Sequence, residues 1–188
     1  MSTMAVGLEA IFFAAAAASR RQLRGCLAGR IGVVCGMQIT RQALKDWLPP
    51  LLWMVVIFSA SGDAASVHHS SRVFEPLMHW LFPRMTSARL EEWHYLFRKC
   101  GHLLEFAVLA VLLWRAIRHA RPAAQRGWQW SQAGLALVAL VLYAASDEIH
   151  QTFVPGRTGQ VSDVFIDLAG GAIGLGLLWL AGKLVKIW

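Results

Sequence analysis

The sequence predicts an all-α integral membrane protein, a four-helix bundle with a short interfacial helix in its first outer loop. The first observation is composition, because 56% of the 188 residues are hydrophobic and only 15% are charged, whereas a soluble domain carries about 25% charged residues. The second is the presence of four apolar windows close to the roughly 20 residues that a helix needs to cross a bilayer. Each window is continuously apolar instead of alternating, which favours helices over barrel strands.

The first predicted span covers residues 47–65. Pro49 and Pro50 fall in its opening turn, where a missing backbone N–H costs least. The other three spans have similar lengths and cover residues 100–117, 128–146 and 164–182.

The connection between the first two spans contains a further apolar pattern at helical spacing. Four apolar residues at i, i+4, i+7 and i+8 share one helical face: Val73, Leu77, Trp80 and Leu81. We therefore expect a short helix that lies on the outer leaflet or over the mouth of the bundle. Pro83 would end this helix, and Thr86 or Ser87 is placed to cap the next one.

The basic residues are distributed unequally between the two sides of the predicted bundle, which sets its orientation. Twelve of the eighteen lie before the first span, between the second and third, or after the fourth, and six lie on the other side. We therefore predict that both termini are cytoplasmic. This asymmetry also explains the formal net charge of +7, so nucleic-acid binding is not expected. Four tryptophans form an aromatic belt on the cytoplasmic side: Trp114, Trp128, Trp130 and Trp179.

The chain divides into three parts, an N-terminal cytoplasmic extension at 1–44, a transmembrane domain at 45–182 and a cytoplasmic tail at 183–188. The apolar stretch from Leu8 to Ser19 is too short to span a bilayer. No basic residue precedes it, so a cleaved signal peptide fits poorly. We interpret the extension as disordered or interfacial, and a start at Met37 is the alternative.

Charged residues inside spans are costly, so those of the second span need an explanation. Arg98, Lys99, His102 and Glu105 occur within RKCGHLLEF, where a spacing of three or four residues places His102 beside the others on one helical face. Glu105 lies roughly 9 Å deeper than Lys99 at 1.5 Å of rise per residue. It must therefore face protein or water instead of lipid.

The third span ends in a polar stretch, SDEIHQTFVPGRTGQVSD, that leads directly to the fourth. Asp147 and Gln151 share one helical face, Glu148 lies beside them, and the Pro-Gly pair forms a turn that presents Arg157.

The fourth span continues this polar pattern and then changes to small residues. Asp163 and Asp167 lie four residues apart, and the same face continues to Gly170 and Gly174, a ridge that lets helices approach closely. The start of the second span, the end of the third and the start of the fourth all lie on the non-cytoplasmic side. The sequence therefore predicts one outward-facing polar pocket.

These three motifs, in this order, resemble the signature of the VanZ-like family of membrane proteins. The family pattern combines RK-x-x-H-x-x-E/Y, DE-x-x-Q-x-x-x-P-x-R and Dv-x-x-[ND]-x-x-G, and the match covers residues 45 to 182. Asp167 departs from it, since Asn is more frequent at that position. The family takes its name from an accessory protein linked to reduced susceptibility to teicoplanin. The resemblance therefore implies a role in the cell envelope and in glycopeptide susceptibility, and it assigns no reaction.

The first interpretation of the pocket is a site for an amphiphilic partner, either a membrane lipid or a lipid-linked or phosphate-bearing envelope precursor. Basic side chains would hold a phosphate, His102 would shuttle a proton, and carboxylates would act as bases or orient hydroxyl groups. The candidate ligand-binding residues are Arg98, Lys99, Gln151, Arg157 and Asp167. The candidate catalytic residues, which apply if the protein is a hydrolase or transferase, are His102, Glu105, Asp147, Glu148 and Asp163.

Two other interpretations remain open from the residues alone. The same charges could only brace the helix ends through ion pairs, because a buried pair that loses one partner typically costs 3–5 kcal/mol. A metal site could use His102 with Glu105 and Glu148 with His150. The cationic Lys99 nearby argues against a metal, so no metal and no cofactor are expected. The sequence leaves the oligomeric state open.

Overall fold

The computed structural model describes residues 32–61, 76–82, 84–121, 126–154 and 159–187, with the side chains of 32–40 left out. Every regular element in these ranges is a helix, and the predicted all-α class is confirmed. The helices are α1 (Gly32–Ser61), α2 (76–81), α3 (Ser87–His119), α4 (Trp130–Gln151) and α5 (Val161–Leu184).

Four of these helices are long and apolar enough to cross a membrane, as the sequence predicted. The candidate spans are Arg41–Ser61, Ser87–His119, Trp130–Gln151 and Val161–Leu184. Their outer faces carry many exposed large apolar side chains, such as Leu104, Val138 and Leu177. Such faces suit a lipid surrounding and not water.

The start of α1 differs from the sequence prediction. The helix begins at Gly32, so its first turns occupy residues that we expected to be extension, and the rest of that extension lies outside the described residues. Pro49 and Pro50 consequently lie inside the helix and not in its opening turn. Membrane helices tolerate internal prolines because neighbouring groups satisfy the backbone atoms that proline leaves unpaired. Locating a span by its apolar window alone could not reveal the polar turns that precede it.

The segment between the first two spans contains a short helix at 76–81, where the sequence predicted one, and Val73 lies outside the described residues. Trp80 is 77% exposed, and Leu81 and Phe82 are also exposed. Their predicted position at the membrane interface stays a prediction. Thr86 is the N-cap residue of α3, but its side chain makes no capping hydrogen bond. Pro83, the predicted end of the short helix, lies outside the described residues.

The third helix is the centre of the bundle, because it contacts α1, α4 and α5, and its contact with α5 is the most extensive. Its buried face supplies more of the apolar core than any other helix does. The fully buried large residues of this core include Ile57, Phe106, Leu109, Leu113 and Leu140.

Glycines allow the close contact between α3 and α5. A Cβ atom added at Gly170 would collide with the backbone of Leu103, and one added at Gly174 would lie 2.7 Å from the carbonyl oxygen of Ala107. Real Cβ atoms do not approach other atoms this closely, so the backbones of the two helices meet only because side chains are absent.

Inter-helix contacts give the direction of each helix. From Lys99–Asp163 to His102–Asp167 the residue numbers rise together on α3 and α5, so these helices are parallel. On α1, Asp46 contacts His119 of α3, and the later residue Trp53 contacts the earlier residue Glu105. The helices α1 and α3 are therefore antiparallel. This alternation is the one that four successive membrane crossings require. It places the starts of α3 and α5 and the ends of α1 and α4 at one end of the bundle, called here the outer end.

Candidate functional site

The last turn of α4 presents three polar side chains to the interior of the outer end. Asp147, Glu148 and Gln151 are 1%, 7% and 4% exposed, respectively. Asp147 and Gln151 lie one helical turn apart, and the Gln151 amide donates a hydrogen bond of 2.9 Å to Asp147 Oδ2. The helix therefore turns its polar end inward, away from the surface that faces lipid.

A serine from α1 completes the surroundings of Asp147. Ser61 is 1% exposed, and its hydroxyl donates to Asp147 Oδ2 over 2.7 Å. Both donors thus contact the same carboxylate oxygen. The other oxygen, Oδ1, is buried and has no hydrogen-bond partner among the described residues.

Two pairs of charged or polar residues connect α3 with α5. Lys99 Nζ lies 2.5 Å from Asp163 Oδ1, and both side chains are about one-fifth exposed. One helical turn deeper, His102 Nδ1 lies 3.8 Å from Asp167 Oδ1, which is too long for a hydrogen bond. Lys99 and Asp163 therefore form a close ion pair, while His102 only approaches Asp167.

The carboxylate of Asp167 is the most isolated charged group of the site. The residue is 1% exposed, and within the described ranges neither of its oxygens has a hydrogen-bond partner. Lys99 and the carboxylates of Asp147, Glu148 and Asp163 lie within electrostatic range of it. Buried polar groups in proteins are nearly always hydrogen-bonded, so an isolated carboxylate of this kind needs an explanation.

Glu148 joins α4 to the start of α5. Its Oε2 atom accepts a hydrogen bond of 2.7 Å from the backbone N–H of Gln160, the N-cap residue of α5. Gly159 packs directly against the carbonyl oxygen of Glu148, where a Cβ atom would collide. The loop before α5 is therefore held against the end of α4.

Glu105 lies deeper and is half-buried, within electrostatic range of Asp147. Its backbone oxygen accepts a hydrogen bond of 2.9 Å from the indole N–H of Trp53 on α1. Nearby, the hydroxyl of Tyr143 on α4 donates to the backbone oxygen of Met54 over 2.6 Å. Two hydrogen bonds therefore hold α1 beside the floor of the site.

Three residues that shape this site were not among the candidates predicted from the sequence: Trp53, Ser61 and Tyr143. Ser61 ends an apolar span next to Gly62 and Asp63, so its position at a span end was an available signal. Trp53 and Tyr143 look like ordinary apolar filling in the sequence. Their polar atoms find partners only across helix interfaces.

Not every candidate residue is brought into the cluster. Arg98 is half-buried and forms no ion pair in the described part of the chain. Arg157 lies outside the described residues. Among the residues that the structure does describe, no group of three or more His, Cys, Asp or Glu side chains has an arrangement that would hold a metal ion.

A second polar cluster lies at the opposite end of the bundle. Asp46 is 4% exposed, and its Oδ1 atom lies 2.9 Å from His119 Nδ1. Gln42 donates to the same carboxylate, and an Arg115 guanidinium nitrogen lies 4.0 Å from it. This carboxylate therefore lies far from the candidate site.

The tryptophans predicted to form a belt lie in contact with one another at this same end. The ring centroids of Trp114 and Trp128 are 5.0 Å apart, those of Trp128 and Trp130 are 5.5 Å apart, and those of Trp130 and Trp179 are 5.6 Å apart. Lys183 lies over the ring of Trp179. The end opposite the candidate site is therefore aromatic and basic, whereas the outer end is acidic.

Comparison with known families finds one matched segment, which contains the candidate site. Residues 47–182 match the model of the VanZ/LLP1 family, and this segment covers well over half of the chain. It contains all the candidate site residues, from α1 to α5. Comparisons with curated proteins and with solved structures gave no match.

Proposed function

The chain belongs to the VanZ/LLP1 family, and from that premise we propose that its outer-end pocket binds the headgroup of an amphiphilic cell-envelope molecule. Like the family-based expectation, this proposal extends to an effect on glycopeptide susceptibility. It assumes that the outer end faces away from the cytoplasm, with both termini cytoplasmic and the protein in the bacterial inner membrane. Four candidate spans and the family match support a multi-pass membrane protein in which such a pocket could reach its ligand.

The observation that carries the proposal is the set of buried carboxylate oxygens without partners. Asp147 Oδ1 and both oxygens of Asp167 are enclosed among helix ends without a hydrogen bond in the described part of the chain. A buried unsatisfied polar group costs about 1–3 kcal/mol, and a charged group costs more. A ligand that supplies donors would remove this cost, which favours a binding site over an inert end of the bundle.

The position of the pocket also suits an amphiphile. It lies at helix ends, the level at which lipid headgroups meet a spanning protein. Exposed apolar side chains continue from it along the lipid-facing surface, including Phe97, Leu104 and Phe165. A headgroup in the pocket would leave its acyl chains against such a surface.

A bracing role is the second candidate function, because some of the contacts do connect helices. The Lys99–Asp163 pair joins α3 to α5, and the Ser61–Asp147 hydrogen bond joins α1 to α4. If bracing were the whole role, loss of any of these groups would reduce the amount of folded protein.

Substitution of Asp167 separates the two candidates, since this residue makes no hydrogen bond among the described residues that a brace would need. Because asparagine is frequent at this position in the family, the informative change removes the polar group altogether. We expect Asp167→Ala to keep normal abundance in the membrane and to abolish the effect of the protein on teicoplanin susceptibility. The control is Asp46→Ala, which changes a buried aspartate at the opposite end of the bundle. Abundance that falls in step with the phenotype for Asp167→Ala would support the brace. A phenotype lost equally in Asp46→Ala at normal abundance would contradict a role specific to the pocket.

A further inference from the structure

The described part of the candidate site has an excess of acidic side chains. Lys99 is already paired with Asp163 at 2.5 Å. His102 lies 3.8 Å from Asp167. Five carboxylates lie in the site among the described residues, those of Glu105, Asp147, Glu148, Asp163 and Asp167. The ligand group that enters most deeply should therefore be a cation or a hydrogen-bond donor, and not an anion.

The buried carboxylate oxygens without hydrogen-bond partners among the described residues narrow the choice of ligand group further. A bound cation would favour the ionised form of these carboxylates, which can only accept hydrogen bonds, so Asp147 Oδ1 and the two oxygens of Asp167 would then take donors. A phosphate group offers acceptors and negative charge, and both would be repelled here. A sugar hydroxyl donates one hydrogen bond and carries no charge. A primary ammonium carries a positive charge and three N–H donors, the same number as the unfilled oxygens.

A metal ion is the competing cation, and the arrangement of the site disfavours it. No cluster of three or more ligating side chains occurs among the described residues. Asp147 Oδ2 already accepts hydrogen bonds from Ser61 and Gln151, which leaves this oxygen less available to a metal ion. An ammonium group needs only charge-assisted hydrogen bonds, which these carboxylates can supply.

We propose that the pocket recognises a membrane amphiphile by a primary ammonium group in its headgroup, held between Asp147 and Asp167. This inference rests on the proposed function and specifies its ligand class, the aminophospholipids and chemically similar amphiphiles. The phosphate of such a lipid would lie toward Lys99, nearer the open side of the pocket, where that side chain is about one-fifth exposed. The two charges of a zwitterionic headgroup would then match the two ends of the pocket.

The first experiment needs no substitution. The full-length protein is reconstituted in phosphatidylcholine nanodiscs that contain equal small amounts of phosphatidylethanolamine, its N,N-dimethyl derivative and phosphatidylglycerol, and the lipids that stay bound are measured by native mass spectrometry. We expect phosphatidylethanolamine to be retained about tenfold over phosphatidylglycerol, with the dimethyl derivative between them. Retention of the dimethyl derivative equal to that of phosphatidylethanolamine would overturn the role of the N–H donors.

The second experiment tests the two aspartates. Asp167→Asn and Asp147→Asn each keep the size of the side chain and remove its charge, and we expect each to reduce phosphatidylethanolamine retention about tenfold. Asp46→Asn is the matched control and should leave retention unchanged. Thermal unfolding in the same nanodiscs identifies any variant that is unfolded. In that case, the comparison of phosphatidylethanolamine with its N,N-dimethyl derivative on the unchanged protein tests whether the ammonium N–H donors are recognised.

The outcomes separate this inference from the proposed function beneath it. Preferential retention of phosphatidylglycerol that depends on Asp147 or Asp167 would overturn the ammonium assignment and leave a headgroup site in place. Retention of all the lipids at equal levels, unaffected by either substitution, would overturn both and favour the bracing role.

Discussion

Single polar groups decide how the helices of this protein meet at its outer end. Tyr143 and Ser61 are 2% and 1% exposed, and each donates a hydrogen bond to another helix. Neither residue was among the candidate site residues expected from the sequence. Each matters because a buried donor or acceptor without a partner costs more than the hydrogen bond itself contributes.

Removal of the Tyr143 hydroxyl tests whether a single buried hydrogen bond between helices stabilises the protein. We expect Tyr143→Phe to reduce the free energy of unfolding by about 0.5–1.5 kcal/mol, because its hydrogen bond to Met54 joins α4 to α1. The measurement is equilibrium unfolding in mixed micelles. Tyr95 is the other tyrosine of the chain and is 58% exposed, so Tyr95→Phe should change the stability little. Equal effects of the two substitutions would contradict this explanation.

The serines of α1 provide a second matched comparison. Ser61 donates to a buried carboxylate, whereas the exposed Ser59 donates to the backbone oxygen of Val55 within its own helix. Hydrogen bonds to charged groups contribute about 1.5–3 kcal/mol, so Ser61→Ala should destabilise the protein by about that amount. Ser59→Ala should have almost no effect. Unfolding in mixed micelles measures both, and a neutral Ser61→Ala would mean that Asp147 does not depend on this donor.

At the scale of the helices, the contact between α3 and α5 determines where the charged groups lie. Their backbones approach through Gly170 and Gly174, and the Lys99–Asp163 pair lies on the same interface toward the outer end. Because the two helices are parallel, one alignment of α3 with α5 brings Lys99 to Asp163 and His102 toward Asp167. A change in their separation would move the whole outer site.

Alanine at the interface glycines should therefore affect both packing and site. Inserting carbon into a closely packed contact costs about 1–3 kcal/mol, so Gly170→Ala and Gly174→Ala should each lower the unfolding free energy by that amount. Gly176 lies on the same helix with nothing within 4 Å of an added Cβ atom. Gly176→Ala should be neutral or slightly stabilising, since alanine favours helix more than glycine does. Loss of stability in all three variants would implicate helix propensity or insertion and not this contact.

At the scale of the whole molecule, the two ends of the bundle differ in charge. The candidate site at the outer end holds five carboxylates among the described residues, whereas the opposite end holds clustered tryptophans with basic neighbours and the Asp46–His119 contact. Basic residues are retained on the cytoplasmic side of membranes. This difference supports the proposed orientation, with the acidic site facing away from the cytoplasm.

Reporter fusions test the orientation directly. We expect green fluorescent protein fused after residue 188 to fluoresce and alkaline phosphatase at the same position to be inactive, because both termini are predicted to be cytoplasmic. Fusion after residue 84, between the first two spans, should give the opposite result. Phosphatase activity at residue 188 would reverse the topology and place the pocket on the cytoplasmic side.

Much of the candidate site could be predicted from the sequence because its motifs lie at helical spacing. Asp147 and Gln151 were expected to share a face, and the structure shows their hydrogen bond. The partners of these residues on other helices could not be predicted, such as Ser61 for Asp147 or Asp163 for Lys99. Helical periodicity determines which side chains share a face of one helix, and it contains no information on the rotation of a neighbouring helix.

The sequence by itself determined that this chain forms four helices long and apolar enough to span a membrane, because a long apolar segment must satisfy its backbone hydrogen bonds within itself. It also determined that the polar groups of three of these helices lie near the same end, since that follows from their order alone. Only the tertiary structure decided that Asp163 is paired, while Asp167 and one oxygen of Asp147 have no hydrogen-bond partner among the described residues. That distinction depends on side-chain contacts of a few ångströms between packed helices, and it separates a bracing contact from the pocket for which we propose a ligand.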